Sequence, residues 1–145
     1  MRHVYHCPLR WADMDSLGHV NNVVYVDYLQ EARVDMLTVH APASGGEDLG
    51  EGVVVVRHEV DFVSPLVFRP EPVRIESWVT RIRAASFTMR YEILDESPAG
   101  VRKVYTRATT KLTPYVFSEQ RPRRIRPDER EVLERFLEPE SGTSR

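Results

Sequence analysis

The chain has 145 residues, 41% of them hydrophobic, and a formal net charge of -2 at pH 7. This length favours one domain with a substantial core, and the near-neutral charge argues against a general affinity for nucleic acid. No apolar run approaches the roughly 18 residues of a membrane span, and the N-terminus lacks the apolar segment of a secretory signal. With Cys7 as the single cysteine, no internal disulfide can form, and we expect a cytoplasmic protein.

The first predicted element is a strand over residues 2–10, in which Cys7 and Leu9 lie on the apolar side. His3, His6 and Cys7 are residue types that can bind a metal. In a strand, however, His3 and Cys7 share one face while His6 points to the other. We therefore expect no metal site here.

A polar loop over residues 10–22 leads directly into a helix predicted over residues 23–39. The apolar residues of this helix recur at steps of four and three: Tyr25, Leu29, Ala32, Met36 and Val39. Glu31 and Arg33 fall outside this stripe or on its margin. Either Asn21 or Asn22 can serve as the N-cap. Because a helix start favours negative charge, the loop can hold an anion or an oxyanion.

Two aspartates in this loop allow more than one interpretation. Asp13 and Asp15 resemble the start of a calcium loop, but Leu17 stands at the fifth position and Val24 at the twelfth, where a bidentate Glu is needed. Calcium is therefore excluded. Both aspartates can be turn and cap residues, or one of them can do chemistry. His19 can either order the loop or take part in the reaction.

Residues 41–52 are predicted to form a flexible connection. Beyond it, apolar residues recur at every second position, which predicts strands. The first of them places Val54, Val56, His58, Val60 and Phe62 on one face. Strands over about 73–80, 87–93 and 104–112 follow, and short turns between consecutive strands predict an antiparallel meander. One helix and one such sheet form a two-layer α+β domain over residues 1–120, with the sheet curling around the helix.

The remaining residues, 121–145, differ in composition. Four arginines occur within 121–126, followed by Val132, Leu133 and Phe136 at helical spacing. We expect a basic segment, a short C-terminal helix that docks on the domain, and a disordered tail over 139–145.

The segment from Arg10 to Arg33 resembles the signature of hotdog-fold acyl-CoA thioesterases of the 4-hydroxybenzoyl-CoA thioesterase type. The shared pattern is aromatic-x-Asp-x-Asp-x-x-Gly-His-Val-Asn-Asn, followed by Tyr-x-x-Tyr and Glu-Ala-Arg. Weaker agreement continues through residues 60–65, Ser86-Phe87 and the final strand. The resemblance implies a hotdog fold, hydrolysis of an acyl-CoA without metal or cofactor, and CoA bound between subunits of a homodimer or homotetramer.

The resemblance also implies roles for individual residues. The catalytic carboxylate falls on Asp15, and the backbone N–H that polarises the thioester carbonyl falls on Asn22. His19 and Asn21 are candidates to position Asp15 or the substrate, and Tyr25 is a candidate to shape the acyl pocket.

Further substrate contacts are expected from Arg83 and Ser86. Exposed arginines are available to the CoA phosphates, and nothing in the sequence chooses among them: Arg81, Arg83, Arg90, Arg107 and those within 121–126.

Several alternatives are compatible with the sequence. Asp15 can act as nucleophile or as general base, and Glu31 is a second carboxylate candidate, although a structural ion pair with an arginine suits it better. A hotdog hydratase or dehydratase would need His58 or His19, and His58 is more typical of a hydrogen-bonded core histidine. A non-catalytic acyl or CoA-binding protein would bind ligand without turnover.

Overall fold

The apolar stripe of the central helix is buried along most of its length. In the computed structural model, which describes residues 1–40 and 52–140, helix α1 spans Asn22–Val39. The predicted stripe residues that are buried are Tyr25, Leu29, Ala32 and Met36. Val39 is 64% exposed because the helix ends at this residue. Arg33, expected at the margin, is buried as well.

Five strands form the main sheet: β1 His3–Cys7, β2 Val53–Phe62, β3 Val73–Ile82, β4 Phe87–Glu96 and β5 Arg102–Val116. They pair antiparallel in the order β1-β3-β4-β5-β2, and a two-residue strand β6, Arg121–Pro122, pairs with the end of β5. Alternate side chains of the central strands are buried together with α1 in one core. This arrangement confirms the predicted α+β hotdog fold.

The position of β2 differs from the predicted meander. It pairs with β5 at the far edge of the sheet, whereas β3 lies next to β1 and β4. The chain between β2 and β3 must therefore cross three strand spacings, about 14 Å, which residues 63–72 can span because ten extended residues reach about 33 Å. On its way the crossover reaches the start of α1, where Leu66 O accepts a hydrogen bond from Val20 N at 2.8 Å.

The alternation predicted for β2 is also interrupted. A register shift between Val55 and Arg57 inserts an extra residue against β5, and such a bulge breaks the regular exchange of faces. Val56 is consequently 59% exposed, whereas His58 and Val60 beyond the bulge are half-buried. Val54 pairs with Thr113 and His58 with Thr110, which lie on opposite faces of β5, so the prediction that Val54 shares the face of His58 was wrong.

A second helix, α2, spans Pro127–Arg135 and buries Val132 and Leu133. The chain after it bonds to β3, since Val79 N donates to Phe136 O at 2.9 Å and Glu138 N donates to Val79 O at 2.7 Å. Neither described helix is long and apolar enough to cross a membrane. Most of the predicted flexible connection (41–51) and of the predicted tail (141–145) lies outside the described residues.

The carboxylate of Asp13, only 2% exposed, ties the polar loop to α1. Its Oδ2 accepts hydrogen bonds from the Tyr28 hydroxyl at 2.6 Å and from Arg10 N at 3.1 Å, and its Oδ1 accepts one from Arg10 Nε at 3.1 Å. Burial raises the pKa of Asp13, but the bonds from Tyr28 and Arg10 outweigh burial and bring the pKa below its ordinary value. The ionised carboxylate therefore holds the loop in place.

Replacing Asp13 with Asn should lower the free energy of unfolding by about 2–3 kcal/mol, because an amide cannot accept this set of charge-assisted bonds. Urea denaturation at pH 7 measures the effect. Asp15→Asn is the matched control, two residues away in the same loop, and should change stability by less than about 0.5 kcal/mol.

The effect of Asp13 should also depend on pH. Because the folded-state pKa is lowered, the stabilisation is complete above the ordinary carboxyl pKa and is lost as the pH falls through the lowered value. The stability gap between the wild type and Asp13→Asn should therefore narrow in acid. Equal stability of the two proteins at pH 7 would contradict this role for Asp13.

Candidate active site

The start of α1 leaves one backbone donor free beside the polar loop. Asn21 is the N-cap, and its side-chain oxygen accepts from Val23 N at 2.9 Å. Asn21 N itself donates to Asp13 O at 3.0 Å. Asn22 is thus the first helical residue, and its N–H finds no acceptor among the described residues. A helix start with such a free N–H attracts negative charge.

Asp15 lies in a tight turn that fixes its carboxylate. Its Oδ1 accepts hydrogen bonds from Leu17 N at 2.9 Å and from His19 N at 3.4 Å. The turn is closed by Asp15 N donating to His19 O at 2.8 Å, and it passes through Gly18 at φ 81, a conformation that favours glycine. Within the described part of the chain, Oδ2 of Asp15 receives no hydrogen bond and is available to a ligand.

Asp15 and Asn22 line one cleft of about 290 Å³. Its other residues from the loop and α1 are Leu17, His19, Val20 and Tyr25, and its opposite wall consists of Phe62, Val63, Ser64 and Pro65. The lining of the cleft is therefore mostly apolar, and it includes the Asp15 carboxylate and Asn22. Such a site suits a polar reacting group attached to an apolar chain.

Tyr25 supports the wall of this cleft. Its ring contacts Phe62 with the ring centroids 5.4 Å apart, and its hydroxyl accepts a hydrogen bond from Leu66 N at 2.9 Å. Burial raises the pKa of Tyr25, with a smaller opposing effect of the bond from Leu66. The hydroxyl is thus engaged in holding the crossover segment.

Arg83 and Ser86, the two substrate contacts predicted from the sequence in the β3–β4 hairpin, do not line the cleft of Asp15. Arg83 N donates to Ser86 O at 2.8 Å and so closes the hairpin. The Arg83 side chain lines a separate cleft of about 220 Å³. The other basic residues around that second cleft are Arg57, Arg81 and Lys111. Within one chain the structure does not bring Arg83 or Ser86 to Asp15.

Glu31, the second carboxylate candidate, is exposed and faces a groove between α1 and β1. It makes no ion pair with any residue in the described ranges, so the expected pairing with an arginine is not seen. Asp13 is fully occupied by Tyr28 and Arg10. Of the three carboxylates, Asp15 alone lies in the cleft at the helix start.

The wall formed by residues 62–65 was not predicted to belong to the site. Phe62 and Val63 are 48% and 49% exposed, which is unusual for large apolar side chains in sequence. The available signal was the agreement of residues 60–65 with the thioesterase pattern, but sequence alone does not place the end of β2 opposite the start of α1.

A metal centre is not indicated by the described residues, among which no group of three His, Cys, Asp or Glu side chains is placed to hold an ion. His3 Nε2 lies 2.8 Å from Asp35 Oδ2, and His6 is exposed on the other face of β1. The polar groups of the cleft lined by Asp15 and Asn22 include one carboxylate and one free backbone N–H.

Comparison with solved structures supports the fold. A protein from Bacillus stearothermophilus, described as a predicted thioesterase, has 20% identity and a TM-score of 0.79, covering 97% of this chain and 100% of that one. A 4-hydroxybenzoyl-CoA thioesterase, solved as an aspartate-to-asparagine variant with 4-hydroxybenzoyl-CoA, has 18% identity and a TM-score of 0.77, with 91% and 98% covered. A thioesterase from Thermus thermophilus, solved with coenzyme A and zinc, has 23% identity and a TM-score of 0.72, with 90% and 95% covered.

Among curated proteins, no sequence matches this chain significantly. The sequence model of the thioesterase-like superfamily, in contrast, matches residues 9–136. This match confirms the resemblance identified from residues 10–33 and extends it over most of the chain. The chain belongs to the thioesterase-like superfamily.

Proposed function

We propose that this protein is an acyl-CoA thioesterase in which Asp15 and the backbone N–H of Asn22 act on the thioester carbonyl. The observation that carries the proposal is their position in one cleft, the carboxylate with an available oxygen and the helix start with an available N–H. Two relatives, one with an aspartate-to-asparagine change and bound thioester and one with bound coenzyme A, support the substrate class.

The chemistry needs two groups. The N–H of Asn22, reinforced by the helix dipole, stabilises the negative charge that develops on the carbonyl oxygen. Asp15 either accepts a proton from the attacking water or attacks the carbonyl carbon itself to give an acyl anhydride that water then opens. In both routes the C–S bond breaks, CoA leaves as the thiolate, and the acyl group becomes a free acid.

A hydratase or dehydratase of the same fold would need a histidine next to the carboxylate. His58 does not line the cleft, whereas His19 does. His19 donates only its backbone N–H to Asp15, and its ring makes no hydrogen bond with a described residue. Thioester hydrolysis needs no such histidine, and the cleft therefore favours it.

Asp15→Asn should reduce hydrolysis of a responsive acyl-CoA by about a hundredfold or more, the range typical of a lost general base. The asparagine oxygen can still accept from Leu17 N and His19 N, so the turn should persist. Release of free thiol across a panel of acyl-CoAs measures turnover, and circular dichroism checks the fold. Undiminished turnover by a folded variant would rule out the proposed role.

Asn22 allows a separate test of the backbone N–H. Asn22→Pro removes this N–H at the first helical position, where proline is tolerated, and the preceding Asn21 already has an extended conformation that suits proline. We expect turnover to fall by about a hundredfold or more, as when an oxyanion donor is lost. Asn22→Ala keeps the N–H and is the matched control, so equal activity of the two variants would exclude this donor.

The CoA phosphates need cations without carboxylate partners. Among the candidate arginines, Arg90 pairs with Glu140 at 3.7 Å and Arg107 with Glu92 at 3.3 Å. Of the basic side chains that form no ion pair with a described residue, Arg81, Arg83 and Lys111 line the second cleft, where Glu59 is paired with Arg57 at 3.3 Å. We therefore propose that this cleft receives the phosphates.

The two clefts are separate within one chain, so the proposal includes a homodimer or homotetramer in which CoA contacts two subunits. The exposed apolar residues Val55, Phe62 and Val63 on and after the edge strand β2 support such an assembly. The proposed location is the cytoplasm, which the single, buried cysteine supports.

Arg83→Met should raise KM for an acyl-CoA severalfold with little change in kcat, since it removes ground-state binding of phosphate. The effect should vanish for the corresponding acyl-pantetheine, which lacks the nucleotide. Arg107→Met, which removes an arginine already paired with Glu92, is the control. An equal rise in KM for both substrates would contradict phosphate binding by Arg83.

A further inference from the structure

Arg33 on α1 has an unusual environment for an arginine. Its side chain is 8% exposed, and its Nη1 donates one hydrogen bond, to the Tyr91 hydroxyl at 3.2 Å. No carboxylate within the described ranges forms an ion pair with it. A buried guanidinium without an anionic partner is costly, because its charge has lost water without gaining a counter-charge.

Three other partly buried arginines are paired with carboxylates. Arg123 makes two hydrogen bonds at 2.8 Å to the buried Glu129, and Arg69 bonds to Asp95 at 2.6 Å. Arg2 bonds to Glu138 at 2.9 Å. The contrast indicates that the site of Arg33 is incomplete and suited to an anion supplied from outside these residues.

His58 on β2 adds a second unused polar group beside Arg33. Its Nδ1 lies 2.7 Å from Thr110 Oγ1, whereas its Nε2 is buried without a hydrogen-bond partner among the described residues. Burial lowers the pKa of His58, and the nearby charge of Arg33 lowers it further, so the ring is neutral at pH 7. A guanidinium, a hydroxyl and a neutral imidazole together can hold a carboxylate.

The positions of Arg33 and His58 relative to the cleft follow from two distances, one along α1 and one along β2. Tyr25 contacts Phe62 at the cleft. From Tyr25 to Arg33 the helix advances eight residues, about 12 Å, and from Phe62 back to His58 the strand runs four residues, about 13 Å. Arg33 and His58 therefore each lie about 12–13 Å from the contact between Tyr25 and Phe62, and the effect of the Arg33 charge on the pKa of His58 indicates that the two side chains are near each other.

The residues between the two ends are apolar. Val26 and Leu29 lie between Asn22 and Arg33 on one face of α1, and Val60 lies between His58 and Phe62 on β2. Val26 is 38% exposed, Val60 is half-buried and Leu29 is buried. Such a path suits the methylene chain of an acyl group whose thioester is at Asn22, and a polar group at the other end of that chain would reach Arg33.

We propose that Arg33, with Tyr91 and His58, binds a carboxylate at the far end of the acyl group, so that acyl-CoAs of medium length ending in a second carboxylate are preferred substrates. This inference rests on the proposed thioesterase function and adds the chemistry of the acyl end. A methyl-terminated chain of equal length would leave the guanidinium without its counter-charge.

Matched pairs of substrates test the proposal: octanoyl-CoA against suberoyl-CoA, and decanoyl-CoA against sebacoyl-CoA. The wild type should favour the carboxylate-ended member of at least one pair in kcat/KM by about tenfold or more, the scale of one charge-assisted hydrogen bond. In Arg33→Met this ratio should fall to one or below, and in the control Arg107→Met it should persist. A wild type without this preference, or a preference that survives in Arg33→Met, would overturn the proposal.

A binding measurement separates this proposal from the catalytic one. Calorimetry with free sebacate should show binding to the wild type and none to Arg33→Met. If no acyl-CoA is hydrolysed but sebacate binding depends on Arg33, the thioesterase proposal fails and the carboxylate site stands. If acyl-CoAs are hydrolysed and sebacate does not bind, the carboxylate site is excluded.

Loss of an unpaired buried charge should not unfold the protein, and urea denaturation of Arg33→Met checks this. If that variant does not fold, Arg33→Lys serves instead, since it keeps the charge but loses the two-pronged geometry. It should retain part of the preference for carboxylate-ended substrates. An unchanged preference in Arg33→Lys would show that the guanidinium is not the group that recognises the carboxylate.

Discussion

The bond between the buried carboxylate of Asp13 and the hydroxyl of Tyr28 sets the geometry of the candidate active site. Tyr28 lies in the second turn of α1, and Asp13 lies before the loop that carries Asp15. Joined by this bond and by the contacts of Asp13 with Arg10, the loop cannot move away from the helix start. Asp15, two residues after Asp13, is thereby kept in the cleft that Asn22 also lines.

Asp13 and Asp15, separated by one residue, thus differ in burial and in hydrogen bonding. Asp13 is buried and receives all its hydrogen bonds from the protein, whereas Asp15 uses one oxygen for its turn and keeps the other available. A carboxylate that is saturated with protein donors stabilises the fold, and one with an available oxygen in a cleft can react. Sequence alone left the choice between them to family resemblance, and the structure adds this physical reason.

Local patterns predicted most of the fold. The spacing of Tyr25, Leu29 and Ala32 determines a helix with one buried face, and two-residue alternation determines the strands, since both depend on near neighbours in sequence. The edge position of β2 and its bulge were missed because strand pairing is decided by distant residues. Burial of Arg33 was missed for a related reason: the helical pattern placed it at the margin, and its contact with Tyr91 on β4 joins residues that are distant in sequence.

In the proposed enzyme a thioester carbonyl lies between Asp15 and the first N–H of α1. A crystal structure of Asp15→Asn with a bound acyl-CoA tests it most directly. We expect the thioester oxygen at about 2.7–3.1 Å from Asn22 N, the distance of an oxyanion donor, with the carbonyl carbon facing residue 15. A thioester bound away from the helix start, with the Asn22 N–H directed at water, would contradict it.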